Sequence, residues 1–151
     1  WTKDKQLFLA GSIEQGTAVN WQQKVVDTLQ HLDGYILNPR RENWNPDWVQ
    51  DMSNDNFYNQ VSWEIAAINS ANLVAFYFDG NTKSPITLME LGYVIGKRDF
   101  EARSDVIVFC PKTFHRKGNV DIMCHMHGIK VHVDEEEFLS ALIDKVTKRL
   151  Q

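Results

Sequence analysis

The sequence has few cysteines, no long apolar run and no excess of positive charge, and each absence excludes a class of protein. Its two cysteines, Cys110 and Cys124, are too few for a disulfide framework, and no signal peptide is recognisable. No apolar stretch approaches the roughly 18 residues of a membrane span. The formal net charge of -4 offers no basic footprint for duplex nucleic acid. We therefore expect a protein of a reducing, cytoplasmic compartment that binds neither duplex nucleic acid nor membranes.

The length of the chain bounds its organisation. At 151 residues it can bury a sizeable core as one domain. Internal repeats, linkers and low-complexity segments are absent from the sequence. We predict a single domain over residues 1–151.

The stretch from 72 to 96 organises the rest of the chain. Residues 72–78 are mostly β-branched and aromatic, which predicts a buried strand, and a polar turn follows at 79–83. Ser84 is a good N-cap for a helix over 85–96. Glu90 is the only charged residue in that helix, whose other side chains predict burial nearly all round. A lone buried carboxylate is costly without a partner or a task, so Glu90 is either a locally satisfied structural residue or a functional one.

Strands and helices alternate along the chain. The further predicted strands cover 6–10, 35–37, 104–109 and 129–133, and the further helices cover about 18–31, 53–70 and 134–150, with 114–128 irregular or a short helix. This alternation predicts an α/β protein with a five-stranded parallel sheet and helices on both faces. The common strand order is 2-1-3-4-5, which places ligands at the carboxyl ends of the first and third strands.

The loop after the first strand is rich in glycine and serine. Such a turn leaves backbone N–H groups free at a helix start, where they can hold a phosphate or a sugar hydroxyl. The ending of a P-loop is missing, and a plain tight turn is the alternative. The candidate binding residues of this turn are Gly11, Ser12, Ile13 and Gly16.

The loop after the second strand carries two arginines and two tryptophans. Arg40 and Arg41 can clamp a phosphate, and Trp44 or Trp48 can stack on a base. The alternative is a solvated loop with a tryptophan folded onto the surface.

The helix over 53–70 carries a second acidic candidate. We expect its apolar stripe to consist of Phe57, Val61, Ile65 and Ile68. Glu64 lies at the edge of that stripe, where it either faces a cleft or reaches water.

A Cys-His-Met-His run at 124–127, with His115 nearby, raises the question of a metal. Zinc sites use wider and more regular ligand spacings. We therefore expect no metal and no cofactor, and an interface or loop role for this run.

Three segments carry a resemblance to a known family: Phe-Leu-Ala-Gly-Ser-Ile at 8–13, Asn-Pro-Arg-Arg at 38–41, and 84–92 with its Met-Glu-Leu-Gly core. Together they resemble the nucleoside 2-deoxyribosyltransferase family and its nucleotide N-glycosidase relatives, over roughly 7–133. The resemblance implies a flavodoxin-like (Rossmann-like) sheet, a small-molecule nucleoside or nucleotide as substrate, and a homodimer or larger homo-oligomer.

The resemblance also implies roles for three carboxylates. Glu90 matches the nucleophile that attacks the anomeric carbon and forms a glycosyl-enzyme intermediate. Glu64 falls where relatives place an acidic residue near the sugar hydroxyls, and Asp79 can contact the leaving base. The turn at 11–13 falls near sugar and phosphate.

Some positions depart from the family pattern and remain candidates for substrate binding. Asn72 stands where many relatives have an Asp thought to assist the base, and Ser84 stands where transferases have an Asp. Asp121 and Met123 belong to a stretch that resembles one reaching into a neighbouring subunit's site. The length of 112–128 and its apolar side chains also predict an interface, and the alternative is a loop that folds over the edge of its own sheet.

The expected function is cleavage or transfer at the N-glycosidic bond of a (deoxy)nucleoside or its 5'-monophosphate. Such chemistry needs a carboxylate that stays ionised although partly desolvated, and the helix dipole at Glu90 favours the anion. The alternatives are a nucleotide-binding sensor or accessory module without turnover, and a domain of the NADase kind that also uses a catalytic Glu.

Overall fold

The computed structural model describes residues 6–13, 19–40, 45–98 and 105–150. Its strands are β1 (Gln6–Gly11), β2 (Tyr35–Leu37), β3 (Leu73–Tyr77), β4 (Asp105–Phe109) and β5 (Val131–His132). Its helices are α1 (Trp21–Leu29), α2 (Asp55–Ser70), α3 (Pro85–Arg98), α4 (Lys117–Met126) and α5 (Glu135–Leu150). The strands form one parallel sheet in the order β2-β1-β3-β4-β5. The predicted α/β class and strand order are confirmed.

The centre of the sheet is the pair β1 and β3. Their register runs from Leu7 opposite Leu73 to Gly11 opposite Tyr77, and every residue of both strands is buried. Strands covered on both faces need apolar side chains on both sides of the pleat, which explains their nearly continuous apolar sequences.

Helices cover both faces of the sheet. Successive side chains of a strand point to opposite sides, so the apolar strands present apolar side chains to the helices on each face. Phe8 and Val74 belong to the core under α2, α3 and α4, whereas Leu9 and Leu73 belong to the core under α1 and α5. The helix after β1 and the helix after β3 therefore lie on opposite faces. This reversal creates the crevice at the carboxyl ends of β1 and β3 in which open α/β sheets bind ligands.

Only one face of α3 is buried, so the prediction of a helix buried nearly all round is wrong. The buried face consists of Thr87, Leu91, Val94 and Ile95. The exposed apolar side chains are Ile86, Met89 and Tyr93, which are 56%, 63% and 43% exposed. A helix that packs on one face of a sheet buries only the side that contacts the sheet. The sequence alone does not show whether another element covers the opposite side.

The apolar stripe of α2 is rotated from the one predicted. Ile68 is buried as expected, but Ile65 is 48% exposed. Gln60 is buried in its place, with 2% exposure. The buried residues of α2 are thus Gln60, Ala67 and Ile68, and Glu64, one turn after Gln60 on the same side of the helix, is half-buried.

The segment predicted as irregular or a short helix contains α4. Phe114 packs on Phe78 with ring centroids 4.9 Å apart, and Val120 and Cys124 join the same core. The length of the segment is therefore explained by a helix of its own. The large apolar side chains that stay exposed on it are Ile122, Met123 and Met126.

The structure adds to two conclusions drawn from the sequence, one on disulfides and one on membrane spans. Cys110 and Cys124 are buried and free, and burial raises the pKa of their thiols to about 12 and about 11. Both thiols thus stay protonated near neutral pH. Within the four described ranges, no helix combines the length and apolarity that crossing a membrane requires.

Candidate active site

Three hydroxyls meet at the carboxyl ends of β1 and β3. Thr82 Oγ1 lies 3.0 Å from Ser12 Oγ and 2.7 Å from Ser84 Oγ, and the two serine hydroxyls also hydrogen-bond each other. Ser84 adopts a left-handed backbone, with φ of 47°, which is costly for a residue other than glycine. This conformation brings its hydroxyl to the cluster immediately before α3 begins. The cluster therefore joins the β1 loop to the N-terminus of α3.

Gly11 is required by packing. A Cβ at this position would lie 2.5 Å from Cζ2 of Trp21, whose indole stacks on Tyr77 with centroids 4.8 Å apart. The next backbone N–H, that of Ser12, donates to the Tyr77 carbonyl at 3.0 Å. The Ser12 N–H is therefore used by the sheet and is not a free donor for a ligand, which at this residue agrees with the alternative of a tight turn. Ile13 is half-buried after it, and Gly16 lies outside the described residues.

Asp79 anchors the loop between β3 and α3. Its Oδ1 accepts from the Asn81 N–H at 2.9 Å, and its Oδ2 accepts from the Val19 N–H at 3.3 Å. Its own N–H donates to Ser12 Oγ at 2.9 Å. Both carboxylate oxygens are thus engaged with backbone donors, which is the arrangement of a structural loop residue.

Arg40 reaches the same region from the loop after β2. Its guanidinium donates to the Val19 carbonyl at 3.1 Å, and burial lowers its pKa from the usual value. The backbone of Val19 therefore connects the two side chains, because its carbonyl accepts from Arg40 and its N–H donates to Asp79. Arg41 and Trp44 lie outside the described residues, and Trp48 is half-buried in the turn that follows them.

Glu90 is partly buried on α3, one turn and a half after Ser84, and Glu64 on α2 is its electrostatic neighbour. Burial and the charge of Glu64 together raise the pKa of Glu90 to about 8. The prediction that the helix dipole keeps Glu90 ionised is therefore wrong near neutral pH. The dipole acts mainly within the first helical turn, and Glu90 lies in the second. Desolvation and a like charge prevail there.

Sequence reasoning missed Thr82 of the hydroxyl cluster, and it also missed Gln60. Its side-chain Nε2 donates to Glu64 Oε1 at 3.0 Å and to the Pro39 carbonyl at 3.4 Å. The available signal was its position four residues before Glu64, a spacing at which glutamine and carboxylate side chains meet on a helix.

Three other predicted residues lie elsewhere. Asn72 precedes β3, so the whole strand, roughly 16 Å long, separates it from Asp79 and the hydroxyl cluster. Asp121 forms an ion pair with Lys117 on α4 at 2.8 Å. Met123 is exposed on the same helix.

The Cys-His-Met-His run does not converge on a point. Cys124 is buried in the core, while His127 Nδ1 hydrogen-bonds the Met123 carbonyl at 2.9 Å. In the part of the chain that the structure describes, no three His, Cys, Asp or Glu residues are grouped as metal ligands would be.

The fold and the site define an open parallel α/β protein with two neighbouring carboxyl groups and a hydroxyl cluster beside its topological switch point. A family model described as nucleoside 2-deoxyribosyltransferase like matches residues 4–114. This is most of the chain, which therefore belongs to that family. The matched range includes Glu64 and Glu90 but ends before Asp121 and Met123. A comparison with curated proteins gives no match.

Proposed function

We propose that the protein cleaves or transfers at the N-glycosidic bond of a (deoxy)nucleoside or nucleoside 5'-monophosphate, through a covalent glycosyl intermediate on Glu90. The observation that carries the proposal is the partly buried Glu90 with Glu64 as its electrostatic neighbour. Paired carboxyl groups with unlike environments are the usual machinery for breaking glycosidic bonds with retention. Membership in a family of glycosyl transfer enzymes points to the same class of reaction.

The proton on Glu90 is the one that the departing base takes up in the first chemical step. With a pKa of about 8, Glu90 carries a proton in most molecules near neutral pH. A Glu90 oxygen forms a bond to the anomeric carbon, the bond from that carbon to the base nitrogen breaks, and the proton leaves on the base. Water or a second base then attacks the glycosyl ester and releases Glu90. The first acceptor gives hydrolysis, and the second gives transfer.

The hydroxyl cluster and Arg40 favour a ligand with a 5'-phosphate. Ser84 precedes Glu90 by six positions, which is about 9 Å along the helix axis. A nucleotide with its anomeric carbon at Glu90 can therefore direct its phosphate toward the start of α3, where N–H groups and hydroxyls favour an anion. In this proposal Glu64 accepts a hydrogen bond from a sugar hydroxyl. Asp79 holds the loop and is not assigned to protonating the base.

The decisive experiment incubates the protein with a panel of nucleosides and 5'-monophosphates, with and without an acceptor base. Chromatography measures the released or exchanged base, and mass spectrometry detects a glycosyl group on the peptide containing Glu90. Glu90→Gln should lower the rate by several powers of ten, because a covalent nucleophile is lost. Glu136→Gln, at an exposed position on α5, is the matched control. Near wild-type turnover in Glu90→Gln would remove the mechanism.

The protonated state of Glu90 also favours a second candidate function, a nucleotide-binding module without turnover. A neutral carboxyl is a poor nucleophile, and a site that never ionises it would only bind. In that case calorimetry would detect nucleotide binding while no base is released from any ligand of the panel.

We also propose that two or more copies of the chain associate through the outer surface of α2, α3 and α4. The large exposed apolar side chains of these helices are Tyr58, Trp63, Ile65, Ile86, Met89, Tyr93, Ile122, Met123 and Met126. The described parts of α1 and α5, on the other face, carry none. Such one-sided exposure is typical of interaction surfaces. Association there would bring Met123 of one copy toward the Glu90 helix of another.

A further inference from the structure

Gln60 is a buried polar residue of α2, and its amide nitrogen donates to two acceptors that belong to the candidate site. The side chain is 2% exposed. The two hydrogens of Nε2 match two acceptors, Glu64 Oε1 at 3.0 Å and the Pro39 carbonyl at 3.4 Å. Burying an amide is costly unless it is hydrogen-bonded, so a buried glutamine at this position requires a compensating role.

The orientation of the amide is determined by its surroundings. Both neighbours are acceptors, and turning the amide over would place its oxygen against a carboxylate oxygen and a carbonyl. In the observed orientation Oε1 has no partner among the described residues. The site therefore leaves one buried acceptor unsatisfied while it keeps the donor on Glu64.

We infer that Gln60 is a positioning residue, whose amide holds Glu64 in its ionised form beside Glu90 and ties it to the backbone of the 38–40 loop. The inference rests on the roles proposed above for the two carboxyl groups. A hydrogen bond donated to a carboxylate favours the charged state, because the protonated form accepts it more weakly. Burial and the charge of Glu64 both disfavour ionisation of Glu90. The hydrogen bond from Gln60 therefore favours the state in which Glu90 is the member of the pair that carries the proton.

Two charged groups among the described residues lie beside this arrangement. Glu90 faces Glu64 from α3. In the loop that contains Pro39, Arg40 follows directly and directs its guanidinium to the Val19 carbonyl. A phosphate held near Arg40 would therefore contact the same short loop that Gln60 ties to Glu64. This connection relates the binding end of the site to its carboxyl pair.

The test titrates the protein with 13C-labelled glutamate carboxyls by NMR, which needs no turnover. Gln60→Met keeps the length of the side chain and removes the donor. The lower pKa of the pair, assigned with Glu64→Gln, should rise by about one to two units, since a hydrogen bond to a charged group is worth that much. The pKa of Glu90 should change less, because Glu64 is still ionised when Glu90 titrates.

Gln23→Met is the matched control, because Gln23 Nε2 donates to Asp27 Oδ1 at 2.8 Å across the same four-residue spacing on the surface of α1. This change should leave both pKa values of the pair in place. Gln60→Asn, titrated in parallel, retains a buried amide but is too short to reach Glu64, and it should reproduce the shift even if Gln60→Met unfolds.

An unchanged lower pKa in the Gln60 variants would overturn the inference, whether or not the protein turns over nucleosides. Conversely, a shifted pKa in a protein that processes no substrate would contradict the proposed reaction and leave the role of Gln60 intact. If the role of Gln60 and the proposed reaction both hold, the Gln60 variants should also shift the acidic limb of the pH profile of kcat/KM. The shift should equal the change in the lower pKa, and loss of packing alone would not produce it.

Discussion

Replacing Glu90 by glutamine should stabilise the folded protein, and the gain should grow with pH. The pKa of Glu90 rises from its ordinary 4.5 to about 8 in the folded protein, because of burial and the charge of Glu64. Between these two pH values the folded state binds a proton that the unfolded state has lost. The stability of the wild type therefore falls as the pH rises through this window. Glutamine has no proton to lose, so the variant escapes this penalty.

The magnitude follows from the size of the pKa change. At about 1.4 kcal/mol per pKa unit, ionising Glu90 costs the folded state at most about 5 kcal/mol. Glu90 is only partly buried, so water and small rearrangements reduce this ceiling. We expect the stability difference between Glu90→Gln and wild type to increase by about 1–3 kcal/mol from pH 5 to pH 9.

Urea unfolding at several pH values between 5 and 9, followed by circular dichroism, measures this difference. Glu136→Gln, at an exposed position on α5, controls for the general loss of a negative charge. A difference for Glu90→Gln that stays constant across the window would refute the reasoning. It would mean that Glu90 ionises as easily in the folded chain as in the unfolded one.

Two further predictions concern the ligand and the assembly. Arg40→Ala should weaken binding of a 5'-monophosphate about tenfold or more but leave nucleoside affinity nearly unchanged, since a charge-assisted contact is worth about 1.5–3 kcal/mol. Calorimetry with both ligands measures this, and an equal loss of affinity for the two ligands would contradict it. Light scattering should report at least twice the 17.5 kDa chain mass at micromolar concentration, and mixing Glu90→Ala chains with Met123→Ala chains should restore part of the activity. A monomeric mass with full activity would rule out a shared site.

Several features of the fold could be predicted because they depend on local patterns. The apolar runs of β1 and β3 predict strands, and the helix predicted over 134–150 is observed as α5 (Glu135–Leu150). Strand–helix alternation then restricts the topology to a few parallel sheets, and the observed order is the common one. Glu90 was found because a single charge among apolar residues is visible in the sequence itself.

The sequence by itself determined the period of each element, the sheet that the elements build, and the position of Glu90 near the start of a helix. Only the tertiary structure decided which side of α3 faces solvent and that Glu64 of α2 acts electrostatically on Glu90. It also decided that Gln60 lies inside and donates to Glu64. The reason is physical: periodicity is a property of neighbouring residues, whereas desolvation and Coulomb energy depend on distances between elements far apart in the chain. The protonation state of Glu90 therefore could not be predicted from the sequence of α3 alone.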